Sequence, residues 1–209
     1  MSDDDTTMLM AQNERLDFLH LLEELTPAQW EAPTLCGRWS VHEVVAHVLS
    51  YEELSAAATA ALFLRGRFNF ARINDLALQP FRASTSQQLT NRMRDHQTPR
   101  GLPSALGGGI ALADGMIHQQ DIRRPLQIAR AIPPARVLRS LQIALRAPTL
   151  PSRRRASEVR LVATDTDWAH GHGHEVIGPA EALLMLVAGR PAAARDCSGP
   201  GLPHLLDAS

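Results

Sequence analysis

The sequence predicts a mainly α-helical protein: a bundle of four main helices with extra helical pieces, followed by a small α/β domain. Three observations predict it. Apolar residues recur at i, i+3, i+4, i+7 in several segments before residue 145, the spacing of one helical face. The composition shifts at Pro148-Thr-Leu-Pro-Ser-Arg-Arg-Arg-Ala156, which reads as a linker. Beyond it the apolar period becomes two. The expected domains are therefore a helical bundle over 1–150 and a small α/β domain over 157–209, and 209 residues are ample for both.

The first helix is expected from about Met8 to Leu25, with Phe18, Leu21, Leu22 and Leu25 in one stripe. Thr26 is placed to cap a new start with Pro27 at the first helical position. After a polar loop, Ser40 and Glu43 form a capping box. Val41, Val44, Val45 and Val48 follow as an apolar stripe, and the pattern runs on towards Leu62. Asn69 to Pro80 has no clean period, and Thr85 to His96 reads as a polar helix. Pro99-Arg-Gly-Leu-Pro103 breaks the chain, and Ser104 can cap a helix that runs to about Asp121 before Pro125 ends or interrupts it. The run Gly107-Gly-Gly109 weakens the start of that helix. A further helix is expected from Ala135 to Leu145.

Past the linker, Val159, Leu161 and Ala163 alternate with Arg160, Val162 and Thr164 as in a strand. Asp165 to Asp167 reads as a turn, and Gly171 to Gly173 as a hairpin tip between strands at Trp168 and Val176. Gly178-Pro179 opens a helix, Ala180 to Ala188, that Gly189 ends. The tail from Ser198 to Pro203 looks like a loop.

Charge excludes several partners. All 21 basic residues are arginine, against 22 acidic ones, for a net charge of −1. Such a balance gives no field to recruit nucleic acid or an anionic membrane. Without lysine there is no Schiff-base chemistry and no phosphate-loop lysine. No apolar run of about 18 residues suggests a transmembrane helix. The acidic start leads into no apolar segment of a signal peptide. Cys36 and Cys197 are the only cysteines, and reduced thiols in the cytoplasm are expected.

The sharpest chemical pattern is Asp114-Gly-Met-Ile-His118-Gln-Gln-Asp121. On a helix, i and i+4 stand about 40° apart, so the Asp114 carboxylate and the His118 imidazole project together. Such a pair is a two-donor metal platform, although the spacing by itself also suits a solvated pair. His47, inside the apolar stretch Val44-Val-Ala-His47-Val-Leu, is the third candidate ligand; alternatively it is a core histidine with a hydrogen bond. His42, at the helix start, is expected in solvent. Asp121 is placed either to hold a ligand histidine or to pair outward with Arg124. Cys36 has no histidine partner indicated in the sequence and reads as a packed residue. His170, His172 and His174 would form a three-imidazole cluster if fully extended, but the intervening glycines argue for a tight turn and no metal site.

These blocks resemble a known family. Trp30, then Pro33-Thr-Leu-Cys36-Gly-Arg-Trp39-Ser-Val-His-Glu-Val-Val-Ala-His47, resembles the N-terminal signature of mycothiol-dependent maleylpyruvate isomerase-like proteins, within the DinB-like metal-binding four-helix-bundle superfamily. Asp114 to His118, continuing to Leu126, resembles their second signature. Val162-Ala-Thr-Asp165-Thr-Asp-Trp168 with Gly171-His-Gly173, Gly178-Pro179 and Ala188-Gly-Arg-Pro191 resembles their C-terminal domain.

The resemblance implies a divalent metal, usually zinc, on His47, Asp114 and His118, with a fourth position for the thiol mycothiol. The family pattern has glutamate where this chain has Asp114, which keeps the charge and the donor but does not carry over identical substrate chemistry. A metal-bound thiol loses its proton and can add to a double bond or displace a leaving group, so isomerisation and S-transfer are both implied. The implied partners are a small thiol and a small, anionic electrophile. Arg123 and Arg124 are candidates to meet carboxylates of a thiol or of the substrate, and Arg190 to clamp the substrate from a C-terminal domain that closes over the metal. Asp121 is the candidate base if the site works as a thiol-independent metallohydrolase. A binding module without turnover is the other alternative.

Overall fold

The computed structural model describes residues 3–37, 39–147, 149–150, 156 and 158–207. They divide into two compact units, Met1–Ile128 and Ala129–Ser209.

The first unit holds helices α1 (Asp3–Glu24), α2 (Pro27–Trp30), α3 (Val41–Leu49), α4 (Ala56–Arg65), α5 (Phe70–Leu78), α6 (Ser86–Asp95) and α7 (Gly109–Leu126). Four of them close a ring: α1 packs on α7 and α6, and α3 packs on the same two. That ring is the four-helix bundle. Its core is built from the expected stripes, with Phe18, Leu21 and Leu22 meeting Val41, Val44, Val45, Leu89 and Ile122. Removing such side chains from water is the main stabilising term, at roughly 1.5–3 kcal/mol each.

Local chemistry sets the helix ends. Thr26, Ser40 and Thr85 each cap a helix through a reciprocal box with Gln29, Glu43 and Gln88. Helix α1 begins at Asp3, five residues before the expected start at Met8, where Asp3, Asp4 and Asp5 face the positive end of its dipole. The helix expected to run on to Leu62 stops at Leu49. Ser50 Oγ there donates to the His47 carbonyl at 2.7 Å, a local bond that competes with further winding. Ser55 then caps α4. Helix α5 lies in the stretch without a clean period, because only Ile73, Ala77 and Leu78 of it are buried. Ser104 does not cap α7; it ends a short 3₁₀ turn, and α7 starts at Gly109 behind Gly108, whose φ is 83°. The glycine run serves close approach: a Cβ on Gly107 would come within 2.9 Å of the Asp4 backbone.

The second unit holds α8 (Pro134–Ala144), β1 (Val159–Ala163), β2 (Ala169–Gly171), β3 (His174–Gly178), α9 (Ala180–Val187) and α10 (Leu202–Asp207). The unit boundary falls at Ile128, earlier than the composition shift suggests, because α8 packs against α9. Most of the expected 148–156 linker, including Arg153, Arg154 and Arg155, lies outside the described residues, as does Ser157. The tail expected as loop carries α10 instead. The alternation in β1 holds, with Val159, Leu161 and Ala163 buried. No helix among the described residues is long and apolar enough to cross a membrane.

The expected hairpin is not one. The sheet order is β2-β1-β3, with β1 antiparallel to β2 and parallel to β3. The Gly171–Gly173 segment therefore crosses the end of β1, and both glycines have positive φ against the backbone carbonyls of Val159 and Glu158. Strand β1 thus stands between His170 and His174, and His174 stacks on His204 at 5.3 Å. Replacing His170, His172 and His174 together by asparagine is expected to leave the protein's metal content unchanged. Elemental analysis of the triple variant checks this, and a fall in stoichiometry would place a ligand there.

Candidate metal centre

Helices α3 and α7 bring the site together, since they pack face to face in the bundle. His47 lies in the last turn of α3, buried among aromatic rings. Trp39 is 4.8 Å away, Tyr51 meets it edge-on at 6.0 Å and His118 at 5.1 Å. Asp114 and His118 project from adjacent turns of α7. His118 Nε2 is 3.4 Å from Asp114 Oδ1, and His47 Nε2 is 3.9 Å from the same oxygen. The two imidazoles are buried, whereas the Asp114 side chain is 36% exposed, so the cluster has one open side.

On the far side of the ring, His118 Nδ1 is 2.9 Å from Asp121 Oδ2. Asp121 is fully buried. This bond assigns the proton of neutral His118 to Nδ1 and leaves Nε2 as a donor facing Asp114 and His47, the arrangement found behind metal-bound histidines. Asp121 thus orients a ligand candidate rather than facing the open side.

The donor set fits a tetrahedral cation. Ligands at about 2.0–2.2 Å place neighbouring donors about 3.3–3.6 Å apart. The three donor atoms here lie within 4.8 Å of one another; the His118–Asp114 distance of 3.4 Å lies in that range, and the His47–Asp114 distance of 3.9 Å lies just beyond it. Two nitrogens and one oxygen leave a fourth position open.

Electrostatics agree with this geometry. Burial would raise the Asp114 carboxyl, but His118, then His47 and Arg15, outweigh it and hold the group well below the usual carboxylate range. Burial would lower His118, but Asp114, then Asp121 and Cys36, push it well above the ordinary histidine value. In the metal-free protein the raised His118 stabilises the fold fully below about pH 6.5, and this is lost as pH rises through its raised value. The depressed Asp114 contributes above the ordinary carboxylate value and loses that contribution as pH falls through its lowered one. A cation must displace the proton from His118 Nε2. Zinc affinity is therefore expected to tighten with rising pH, by up to about tenfold per unit while His118 remains protonated. A titration of Kd between pH 6 and 8 measures this, and a flat profile contradicts it.

Two neighbours escaped the sequence reading. Cys36 Sγ lies within 4.8 Å of donor atoms of His118 and Asp121, a second three-donor group that shares His118 with the first. It is half-buried and has the histidine partner that the sequence did not indicate; this contact runs between a loop and α7 and leaves no period to detect. Tyr51 donates its hydroxyl to Asn74 Oδ1 at 2.8 Å. Burial, and then the Asp114 charge, push its phenol up to about 12, so it stays protonated at neutral pH. Its position four residues after His47 was the available signal.

The remaining candidates are spread more widely. Arg123 is buried; its Nε donates to Gln119 Oε1 at 3.1 Å and its Nη2 to the Asp17 carbonyl at 3.5 Å, which ties α7 to α1. Arg124 is half-buried on the same helix. Arg190 belongs to the second unit, where Nη1 donates to the Ala188 carbonyl at 2.7 Å. His42, expected in solvent, is half-buried, with Nε2 2.7 Å from the Ser84 carbonyl.

Residues 11–107 match the family model described as the mycothiol maleylpyruvate isomerase N-terminal domain, a span that includes His47 and stops before Asp114. Among solved structures, the chain is similar to the crystal structure of the mycothiol-dependent maleylpyruvate isomerase, at 13% identity and a TM-score of 0.62. It is also similar to a histidine-to-alanine mutant of that enzyme, at 12% and 0.63. Each likeness covers 95% of this chain and 93% of the other. No curated protein sequence matches the chain.

Proposed function

We propose that this chain, which belongs through residues 11–107 to the mycothiol maleylpyruvate isomerase N-terminal domain family, is a metal-dependent enzyme that uses mycothiol as its nucleophile. The reaction class is isomerisation or S-transfer on a small, anionic electrophile in the cytoplasm. The metal is divalent, with zinc the first choice, on His47, Asp114 and His118. The observation that carries this reading is the convergence of three donor atoms from two helices while Asp121 engages the other nitrogen of His118.

A bound divalent ion would lower the pKa of a coordinated thiol, so that its thiolate is available at neutral pH. The chain's own groups do the rest. The buried imidazoles keep water from one side of the cluster, and the half-exposed Asp114 marks the side from which a thiol enters. Asp121 keeps His118 in the tautomer that presents Nε2. Tyr51 stays protonated beside His47, with its hydroxyl held by Asn74. Arg124 and, by the family resemblance, Arg190 are the candidate partners for the substrate's carboxylates, since Arg123 already serves Gln119.

The test is turnover of a cis-unsaturated dicarboxylate by the zinc-loaded protein, with and without mycothiol. Isomerisation that requires the thiol supports the proposal. Hydrolytic turnover without thiol would favour a metallohydrolase, and thiol binding without turnover a binding module.

A further inference from the structure

Pro125 lies inside α7, one residue before its end. In an α-helix the N–H of residue i+4 donates to the carbonyl of residue i, so the Asp121 carbonyl would ordinarily take the N–H of residue 125. Proline has none. The carbonyl is met instead by the backbone N–H of Leu35, at 3.0 Å, from the loop between α2 and α3.

That loop is internally tied. Thr34 Oγ1 accepts the Cys36 N–H at 3.1 Å and donates to the Trp39 carbonyl at 2.8 Å. Its side chains reach both candidate histidines: Cys36 lies beside His118 and Asp121, and the Trp39 ring lies 4.8 Å from the His47 ring. One loop therefore braces two imidazoles that stand on different helices, and its anchor on α7 is the bond that Pro125 leaves open.

We propose that Pro125 is a positioning residue of the metal centre: because it lacks an N–H, Leu35 can take the Asp121 carbonyl, and this bond pins the loop that holds His47 and His118 in register. The effect on metal rests on the metal reading above; the Leu35 bond does not. The signature is unusual in sign. Replacing a proline inside a helix by alanine restores a backbone bond and relieves a clash, so it should leave the helix as stable or more so. Here the new N–H of residue 125 competes with Leu35, so the helix gains while the site loses. A purely structural proline would move thermal stability and metal affinity together.

The experiment compares the full-length protein with Pro125→Ala. In the metal-free state, amide exchange at Leu35 is expected to quicken about tenfold or more, and the His47 ring protons should shift as the Trp39 ring moves. Zinc affinity, by competition with a chelating dye, is expected to weaken about 10- to 100-fold, as for other groups that orient metal ligands. Tm should stay level or rise. Unchanged Leu35 exchange overturns the proposal, as does faster exchange with unchanged zinc affinity, or a loss of zinc with Leu35 still protected. If the unsubstituted protein takes up no zinc, the metal reading falls separately. The Leu35 exchange and the His47 shift then decide whether Pro125 positions the loop.

Discussion

His118→Ala is expected to abolish stoichiometric metal binding while the bundle stays largely helical. The substitution removes the imidazole whose Nε2 lies closest to Asp114. It leaves His47 and Asp114, two donors 3.9 Å apart on different helices, which is too few for a closed zinc site. It also takes the partner from the buried Asp121 carboxylate, at a cost of about 1–3 kcal/mol. The helices themselves rest on apolar contacts elsewhere, such as Phe18 and Leu22 with Val44 and Ile122. Elemental analysis with far-ultraviolet circular dichroism reads both arms. Full metal occupancy in the variant would sink the assignment of His118.

Glu52→Ala is expected to cause the largest loss of stability, about 3–5 kcal/mol, because it breaks a buried ion pair from one side. Arg15 on α1 and Glu52 just beyond α3 are paired with side chains only 1% exposed. Glu52 Oε2 also accepts the Arg100 N–H at 2.7 Å, and Arg15 Nη1 reaches the His96 carbonyl at 3.4 Å. Four segments of the first unit therefore meet at this pair. Removing the carboxylate strands a buried guanidinium and a backbone donor together. At about 2–4 °C per kcal/mol for a chain of this size, the midpoint should fall by roughly 6–20 °C. A double substitution to apolar residues of similar volume should recover much of the loss. Denaturant unfolding measures it, and a cost under about 1 kcal/mol would show that the pair is solvated.

Periodicity made the parts of the fold that depend on one face legible in the sequence. The valine stripe of α3 and the alternation of β1 are local patterns, and both are buried as they read. Asp114 and His118 were legible for the same reason, since i and i+4 on one helix meet wherever the helix goes. His47 stood out as a polar residue in an apolar run. Contacts between distant segments leave no period. Arg15 and Glu52 look like ordinary surface charges, and Cys36 looks like any loop thiol until the loop lands on α7. The unit boundary failed in a similar way. The apolar face of α8, with Val137, Leu141 and Ala144, shows that the helix packs but does not name α9 as its partner. In the sheet, the glycines around His172 marked a tight passage correctly. Only the buried central strand β1 decides that the passage is a crossover.

The proposed centre holds one divalent ion on His47, Asp114 and His118, although a second donor group, Cys36 with His118 and Asp121, competes for the same histidine. X-ray absorption at the zinc edge of the zinc-loaded, thiol-free protein separates them most directly. A centre on these three residues gives nearest neighbours of nitrogen and oxygen alone, at about 2.0–2.2 Å, with the more distant scattering of two imidazoles. A sulfur at about 2.3 Å would contradict it and assign the ion to Cys36.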